Sequence, residues 1–340
     1  MGRIESPAPA SERPAPARPP EPTPVPDPAR RRWSATSYVG LAVSLLAVAG
    51  VVWWASGQSA PRMPRDGGEW IAALGAALLY GLATFVRGER WHRLLEDEGG
   101  TPSRADTHAL NAVGYMGNNL LPARAGDAMR VLLMAPRAGA SRRTVAGTLL
   151  AERLLDVGLL VVLFVIVGYG LLGEVGADEV EYVLLAAAAL AAGAALAYLL
   201  VRRNERIMAF LSPIASATLG LRRAHHGLRL LGLTMVVWAL EAGVWMASAA
   251  AVGFGMTPVE GLYVVALASI FAMIPSGPAY AGTQDAAAII AIKALGASSA
   301  QAVAYVVMLR FVIVVPITLA GLALLVMRYG GLGRLRTARA

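Results

Sequence analysis

The sequence contains no cysteine, which excludes disulfides, thiolate nucleophiles and thiolate metal ligands. Lysine is almost missing as well: of the 30 basic residues, only Lys293 is not an arginine. Charge of either sign is scarce, at 15% of 340 residues, while 56% are hydrophobic and the mean hydropathy is +0.56. A soluble domain carries roughly a quarter charged residues, so this composition describes an integral membrane protein with little soluble mass. His92, His108, His225 and His226 show no metal-like spacing beyond one adjacent pair. There is no G-x-x-x-x-G-K-[ST] loop, so an ATP-driven pump within the chain is excluded. No stretch between apolar runs is long enough for a soluble transferase domain, and thirteen residues follow Met327. Neither a cofactor nor a metal is expected. The net charge of +8 would suggest nucleic acid in a soluble protein. Here the arginines sit between apolar runs, so membrane orientation and anionic lipid are expected instead, and nucleic acid is not.

Residues 1–32 hold ten of the twenty prolines and end in Arg30-Arg31-Arg32. Such a segment cannot bury a core, and a disordered Pro-rich tail is expected over 1–37. It is not a secretory signal, and the first apolar run lacks a small-residue cleavage site and is expected to stay as an anchor. Six runs approach or exceed the ~20 residues that cross a ~30 Å hydrocarbon core: 38–56, 70–86, 147–172, 182–201, 230–253 and 301–327. Between the second and third lie two short pieces, 107–121 and 126–136. Between the fifth and sixth lie two more, 261–274 and 283–295. Each short pair reads as a re-entrant hairpin, whose broken backbone is tolerated only against protein or water.

With the N-terminus in the cytoplasm, the inner segments carry 24 basic residues and the outer ones only Arg62 and Arg65. This is a strong positive-inside bias; both termini are expected in the cytoplasm, and the membrane is expected to be the plasma membrane. Trp33, Trp53, Trp54 and Trp70 fall at expected interfaces. The order span, span, hairpin, span then occurs twice with opposite starting sides, an inverted-topology repeat. Gly139-Ala-Ser141 lies fourteen residues before Arg153, and Gly296-Ala-Ser298 lies fourteen before Arg310. The fold expected is therefore an all-α integral membrane protein: six transmembrane helices and two re-entrant helical hairpins in an inverted repeat. Its halves are 38–172 and 182–327 of a domain spanning 38–328, followed by a short basic tail at 329–340.

Polar residues at membrane depth are costly and mark sites. In the first hairpin these are Asn118, Asn119, Arg124, Asp127 and Arg130, with helix breaks at Pro122 and Gly126. A helix N-terminus flanked by arginines suits a phosphate; simple anchoring of the hairpin is the alternative. Glu152, Arg153 and Asp156 open the third span, either as ordinary interfacial charges or as a headgroup or cation site. In the second hairpin Pro275, Gly277, Pro278 and Gly282 break the helix, while Thr283, Gln284 and Asp285 cap the returning limb. Arg310 lies about nine residues into the sixth span, roughly 14 Å deep, and Glu241 about twelve residues into the fifth, at roughly 18 Å. Opposite charges at similar depth are expected to pair with each other, as a structural ion pair or as a headgroup site.

The run 118–130, then Glu152-Arg-Leu-Leu-Asp156, then 275–285, then Arg310 resembles the lysylphosphatidylglycerol synthase transmembrane family, a flippase-like domain, over about residues 38–328. That resemblance implies movement of aminoacylated phosphatidylglycerol between leaflets. The chain departs from it in lacking an aminoacyl-transfer domain, and in the turn Pro-Ser-Gly-Pro-Ala-Tyr-Ala-Gly where relatives have a Gly-richer one. The leading expectation is translocation of an anionic phospholipid or lipid-linked conjugate. The alternatives are a membrane enzyme acting on a phospholipid or polyprenyl phosphate through Glu152, Asp156, Asp127 and Asp285, and a scaffold for a separately encoded transferase. The expected partners are membrane lipids, with a separate transferase and a second copy of the chain left open.

Overall fold

The computed structural model describes residues 63–121, 124–172, 224–272 and 278–330, and the isolated positions Gly2, Trp53, Ser56 and Gly57. The Pro-rich tail, nearly all of the first span, the fourth span, the loop 173–181 and residues 331–340 lie outside the described residues. So do the helix breaks at Pro122, Pro275 and Gly277. The described residues form eight α-helices and no strand. They are α1 (Gly67–Asp97), α2 (Arg104–Leu120), α3 (Ala125–Met134), α4 (Arg142–Leu172), α5 (Ala224–Ala250), α6 (Pro258–Phe271), α7 (Thr283–Ala294) and α8 (Ser299–Tyr329), with a 3-10 turn at Pro278–Tyr280 between α6 and α7.

Helix starts follow the local chemistry. Asp66 accepts from the Glu69 N–H at 2.9 Å, Ser103 from Asp106 at 3.1 Å, and Ser141 from Thr144 at 3.0 Å. Thr257 with Glu260, and Ser298 with Gln301, close reciprocal capping boxes. Among the described residues, three helices are long and apolar enough to cross a membrane: α1, the stretch His226–Ala250 of α5, and α8. Large apolar side chains are exposed at Ile71, Leu74, Leu78, Leu82 and Phe85 on α1, and at Val307, Phe311, Val315, Leu319, Leu322 and Val326 on α8. Steps of three and four keep each set on one helix face. Such a stripe would be an aggregation hazard in water and is the lipid surface of a membrane protein. Trp70 is also exposed, at the start of α1.

The packing pairs have a two-fold pattern. Helix α2 lies against α8, and α6 against α4; α1 lies against α5. Exchanging α1–α4 with α5–α8 maps the α1–α5 contact onto itself and every other substantial helix–helix contact onto a second one. The short helices pair as α2 with α3 and α6 with α7. The first of these pairs is close enough that a Cβ on Gly126 would sit 1.9 Å from the Gly114 carbonyl oxygen. A Cβ on Gly117 would sit 2.6 Å from the Gly126 Cα. Small residues let two backbones touch where no water drives association.

One boundary differs from the sequence reading in a way that matters. The apolar run ends at residue 86, yet α1 continues to Asp97, so Arg87 and Arg90 lie on the helix rather than in a loop. Arg90 is fully buried, as are Trp91 and Leu95 beyond it. Arg90 and Arg130 were both counted above as charges of cytoplasmic loops; both are interior. A buried arginine persists only when acids meet it, and in both cases they do.

Candidate functional site

The two helix breaks face each other. Among the described residues, only Arg124, Ala279 and Tyr280 hold a positive φ without being glycine, at 53°, 54° and 56°. Each such residue costs about 1–3 kcal/mol and persists where surrounding structure fixes it. Arg124 begins α3, and its Nη2 donates to the Tyr280 hydroxyl at 3.0 Å, with the guanidinium 5.4 Å from the ring centroid. The turn carrying Tyr280 is held from behind by Arg310, which donates to the carbonyls of Ala279 and Tyr280. Gly282, at φ 89°, completes it, and its N–H donates to Asp285 at 2.9 Å. Among the described residues, the tips of the two hairpins thus touch through the hydrogen bond and ring contact of Arg124 with Tyr280.

Beside this contact lies a cavity of about 400 Å³. Polar lining comes from Arg87, Arg124, Arg153 and Arg310 with Asn119 and Gln284. Apolar lining comes from Leu150, Val157 and Leu160, which share one face of α4 with Arg153, and from Ile313 and Val314 of α8. Tyr80, Tyr115, Trp238 and Trp245 close it. Helices α1, α2, α4, α5 and α8 and both hairpin tips contribute to the lining.

The charges around the cavity are paired. Glu241 does not meet Arg310, as similar depth suggested. It accepts from Arg87 at 2.5 Å and from the Trp245 indole at 3.3 Å, because α1 packs directly on α5. Arg310 instead donates from Nε to Asp285 at 2.6 Å, one helix back in the chain. Arg90 forks onto Asp156 at 2.6 and 3.0 Å and reaches Glu152 at 3.1 Å and Thr234 at 2.9 Å. The Trp238 indole adds a bond to Asp156 at 3.2 Å. Arg130 donates to Glu152 at 3.1 Å and lies 4.0 Å from the centroid of the Trp91 ring. Asp127 bonds to Asn118 in both directions at 3.2 Å, so Asn118 caps α3 from α2. Around the same carboxylate stand Arg124 at 3.6 Å, Arg153 at 3.8 Å and Arg130 at 4.0 Å.

Of the residues singled out from sequence, Asn118, Asn119, Arg124, Arg153, Asp156, Glu241, Gln284 and Arg310 line the cavity. Asp127 and Asp285 sit behind its arginines, and Arg130 and Glu152 are buried one layer deeper. Thr283 is buried within the second turn, and Asn119 also donates to Thr318 at 3.0 Å. Gly126 serves the close approach of α2 and α3, and Pro278 opens the 3-10 turn. Sequence reasoning missed Arg87, Arg90, Tyr80 and Tyr280. The signal for the first two was present: both lie on the 3.6-residue continuation of an apolar helix, one turn apart from each other.

A family model for the lysylphosphatidylglycerol synthase TM region matches residues 38–321, most of the chain. No curated protein matches it. The chain belongs to the lysylphosphatidylglycerol synthase TM region family and is a membrane-embedded helical protein of lipid-related function.

Proposed function

We propose that this protein moves an anionic phospholipid or lipid-linked conjugate between leaflets, its headgroup passing between the two hairpin tips. The observation that carries the reading is the cavity beside those tips, lined by four arginines and by aliphatic side chains of α4 and α8. A lipid needs both: guanidinium groups for a phosphate and apolar surface for the first methylenes of its chains. The two-fold exchange of packing pairs supports an inverted repeat with halves 38–172 and 182–327. So do the matched pairs Asp127 with Arg153 and Asp285 with Arg310. In this scheme α2–α3 and α6–α7 are re-entrant hairpins from opposite faces, and 38–56 and 182–201 complete six spans. The tails 1–37 and 329–340 lie in the cytoplasm, and the membrane is the plasma membrane.

Roles follow from position. Arg124 and Arg153 receive the headgroup on the first-hairpin side, and Arg310 on the second. Arg130, Asp127, Glu152 and Asp156 position them, and Asn119 and Gln284 supply neutral donors. The acids at the cavity already accept from arginines, which favours carrying a lipid over acid–base chemistry on it. The test is leaflet exchange of a fluorescent phosphatidylglycerol in reconstituted liposomes, read by external quenching. Exchange above empty liposomes that falls on Arg310→Ala and Arg153→Gln supports the reading; equal rates in all samples overturn it.

A further inference from the structure

The ion pairs around the cavity do not balance. Six arginines form ion pairs in or beside the cavity wall: Arg87, Arg90, Arg124, Arg130, Arg153 and Arg310. Five carboxylates meet them: Asp127, Glu152, Asp156, Glu241 and Asp285. Three of the pairs are close: Arg87 with Glu241 at 2.5 Å, Arg90 with Asp156 at 2.6 Å and Arg310 with Asp285 at 2.6 Å. Arg130 and Glu152 form a fourth at 3.1 Å. Arg124 and Arg153 are left with Asp127 alone, at 3.6 and 3.8 Å, beyond the reach of a good hydrogen bond. Both line the cavity. One positive charge therefore has no counter-charge among the described residues, and it sits on the wall where a headgroup would lie.

We infer that the cavity selects a headgroup of net charge minus one, a phosphodiester, against phosphomonoester dianions and against headgroups whose added amines make them net cationic. This rests on the lipid-carrying reading above and narrows its substrate class. A phosphodiester placed between Arg124 and Arg153 completes the pairing in a site where an unmatched charge is expensive in either direction. A dianion overfills it. A headgroup ammonium finds no uncompensated carboxylate on the wall, since the two acids that line it, Glu241 and Asp156, pair with Arg87 and Arg90. The resemblance implied aminoacylated phosphatidylglycerol; with a lysyl ester, that lipid is net positive and fits this charge balance poorly.

Two sources offer the same chemistry, a glycerophospholipid such as phosphatidylglycerol and a polyprenyl phosphoryl sugar. The full chain in detergent, with Trp238 and Trp245 in the cavity wall, permits a binding titration by quenching with brominated lipids. Four probes are used: phosphatidylglycerol, a polyprenyl phosphoryl sugar, phosphatidic acid at pH 9, where its monoester is doubly charged, and the lysyl ester of phosphatidylglycerol. At least one phosphodiester is expected to bind about tenfold or more tightly than the dianion and the lysyl ester, and the tighter of the two identifies the source. Asp127→Asn raises the site by one charge and is expected to move the preference toward phosphatidic acid. Arg153→Lys is expected to keep the order and Arg153→Gln to lose it. Equal affinity of wild type for the dianion or the lysyl ester overturns the inference, as does an unchanged order in Asp127→Asn. Leaflet exchange accompanied by a different binding order sinks the inference alone; no binding of any probe sinks the carrying reading with it.

Discussion

Replacing Arg90 by methionine removes a fully buried guanidinium and leaves its volume largely filled. Four hydrogen bonds go with it, two of them to Asp156. Glu152 keeps Arg130 at 3.1 Å, so its charge stays matched. Asp156 keeps the Trp238 indole, a neutral donor, as its remaining bond. Breaking a buried pair by removing one partner costs about 3–5 kcal/mol, most of it the stranded charge, and here that charge is Asp156. Asp156→Asn alone should cost less, because Arg90 retains Glu152. The double variant Arg90→Met/Asp156→Asn removes the charge together with its partner and should recover about 2 kcal/mol or more relative to the sum of the singles. The assay is denaturant unfolding of the purified protein in detergent, with all four members of the cycle measured under one condition. Singles that add to within about 0.5 kcal/mol would refute the pairing, as would an Arg90→Met cost below about 1 kcal/mol.

Gly126→Ala should destabilise by about 1–3 kcal/mol through overpacking, because its Cβ would meet the Gly114 carbonyl at 1.9 Å. This reverses the usual gain from Gly to Ala within a helix, and thermal unfolding reads the sign directly. Tyr280→Phe removes the hydrogen bond that joins the hairpin tips while keeping the ring beneath Arg124. Leaflet exchange should rise by about two- to tenfold, the worth of one such bond; an unchanged rate counts against a gate at that contact. At the far end of α2, Asp106 has its carboxyl held below the ordinary range: burial pushes it up, but hydrogen bonds from Ser103, Tyr329 and Arg328 prevail. A depressed folded value means the stabilisation is present above the unfolded value near ~4 and disappears as pH falls through the folded one. Asp106→Asn should therefore be less stable than wild type at pH 7, with the gap closing below about pH 4; a gap that persists in acid would contradict this.

Much of this arrangement was legible in the sequence, and the failures have a common cause. The short pieces around 118–130 and 275–285 were readable because Pro, Gly and paired polar residues interrupt apolar runs that lipid would otherwise require to be helical. The echo of Gly139-Ala-Ser141 in Gly296-Ala-Ser298 has a structural meaning: each glycine takes a positive φ, 61° and 94°, and each serine caps the next helix. Arg87 and Arg90 were lost because hydropathy alone ends a helix where charge begins, although α1 runs eleven residues further. The partner of Glu241 was misassigned for a related reason. Depth along a helix axis is computable from residue number, but the neighbour it faces depends on which helices pack, and nothing local encodes that α1 lies on α5.

The absence of native cysteine allows the central claim, that a headgroup passes between the hairpin tips, to be tested in an otherwise thiol-free chain. Ala125→Cys and Ala279→Cys place one thiol beside each tip, to be joined by a bifunctional reagent whose spacer contains a reducible disulfide. The account predicts that the unlinked double variant exchanges phosphatidylglycerol between leaflets, that linking brings the rate down to that of empty liposomes, and that reduction restores it. Equal exchange in the linked and unlinked protein would contradict it.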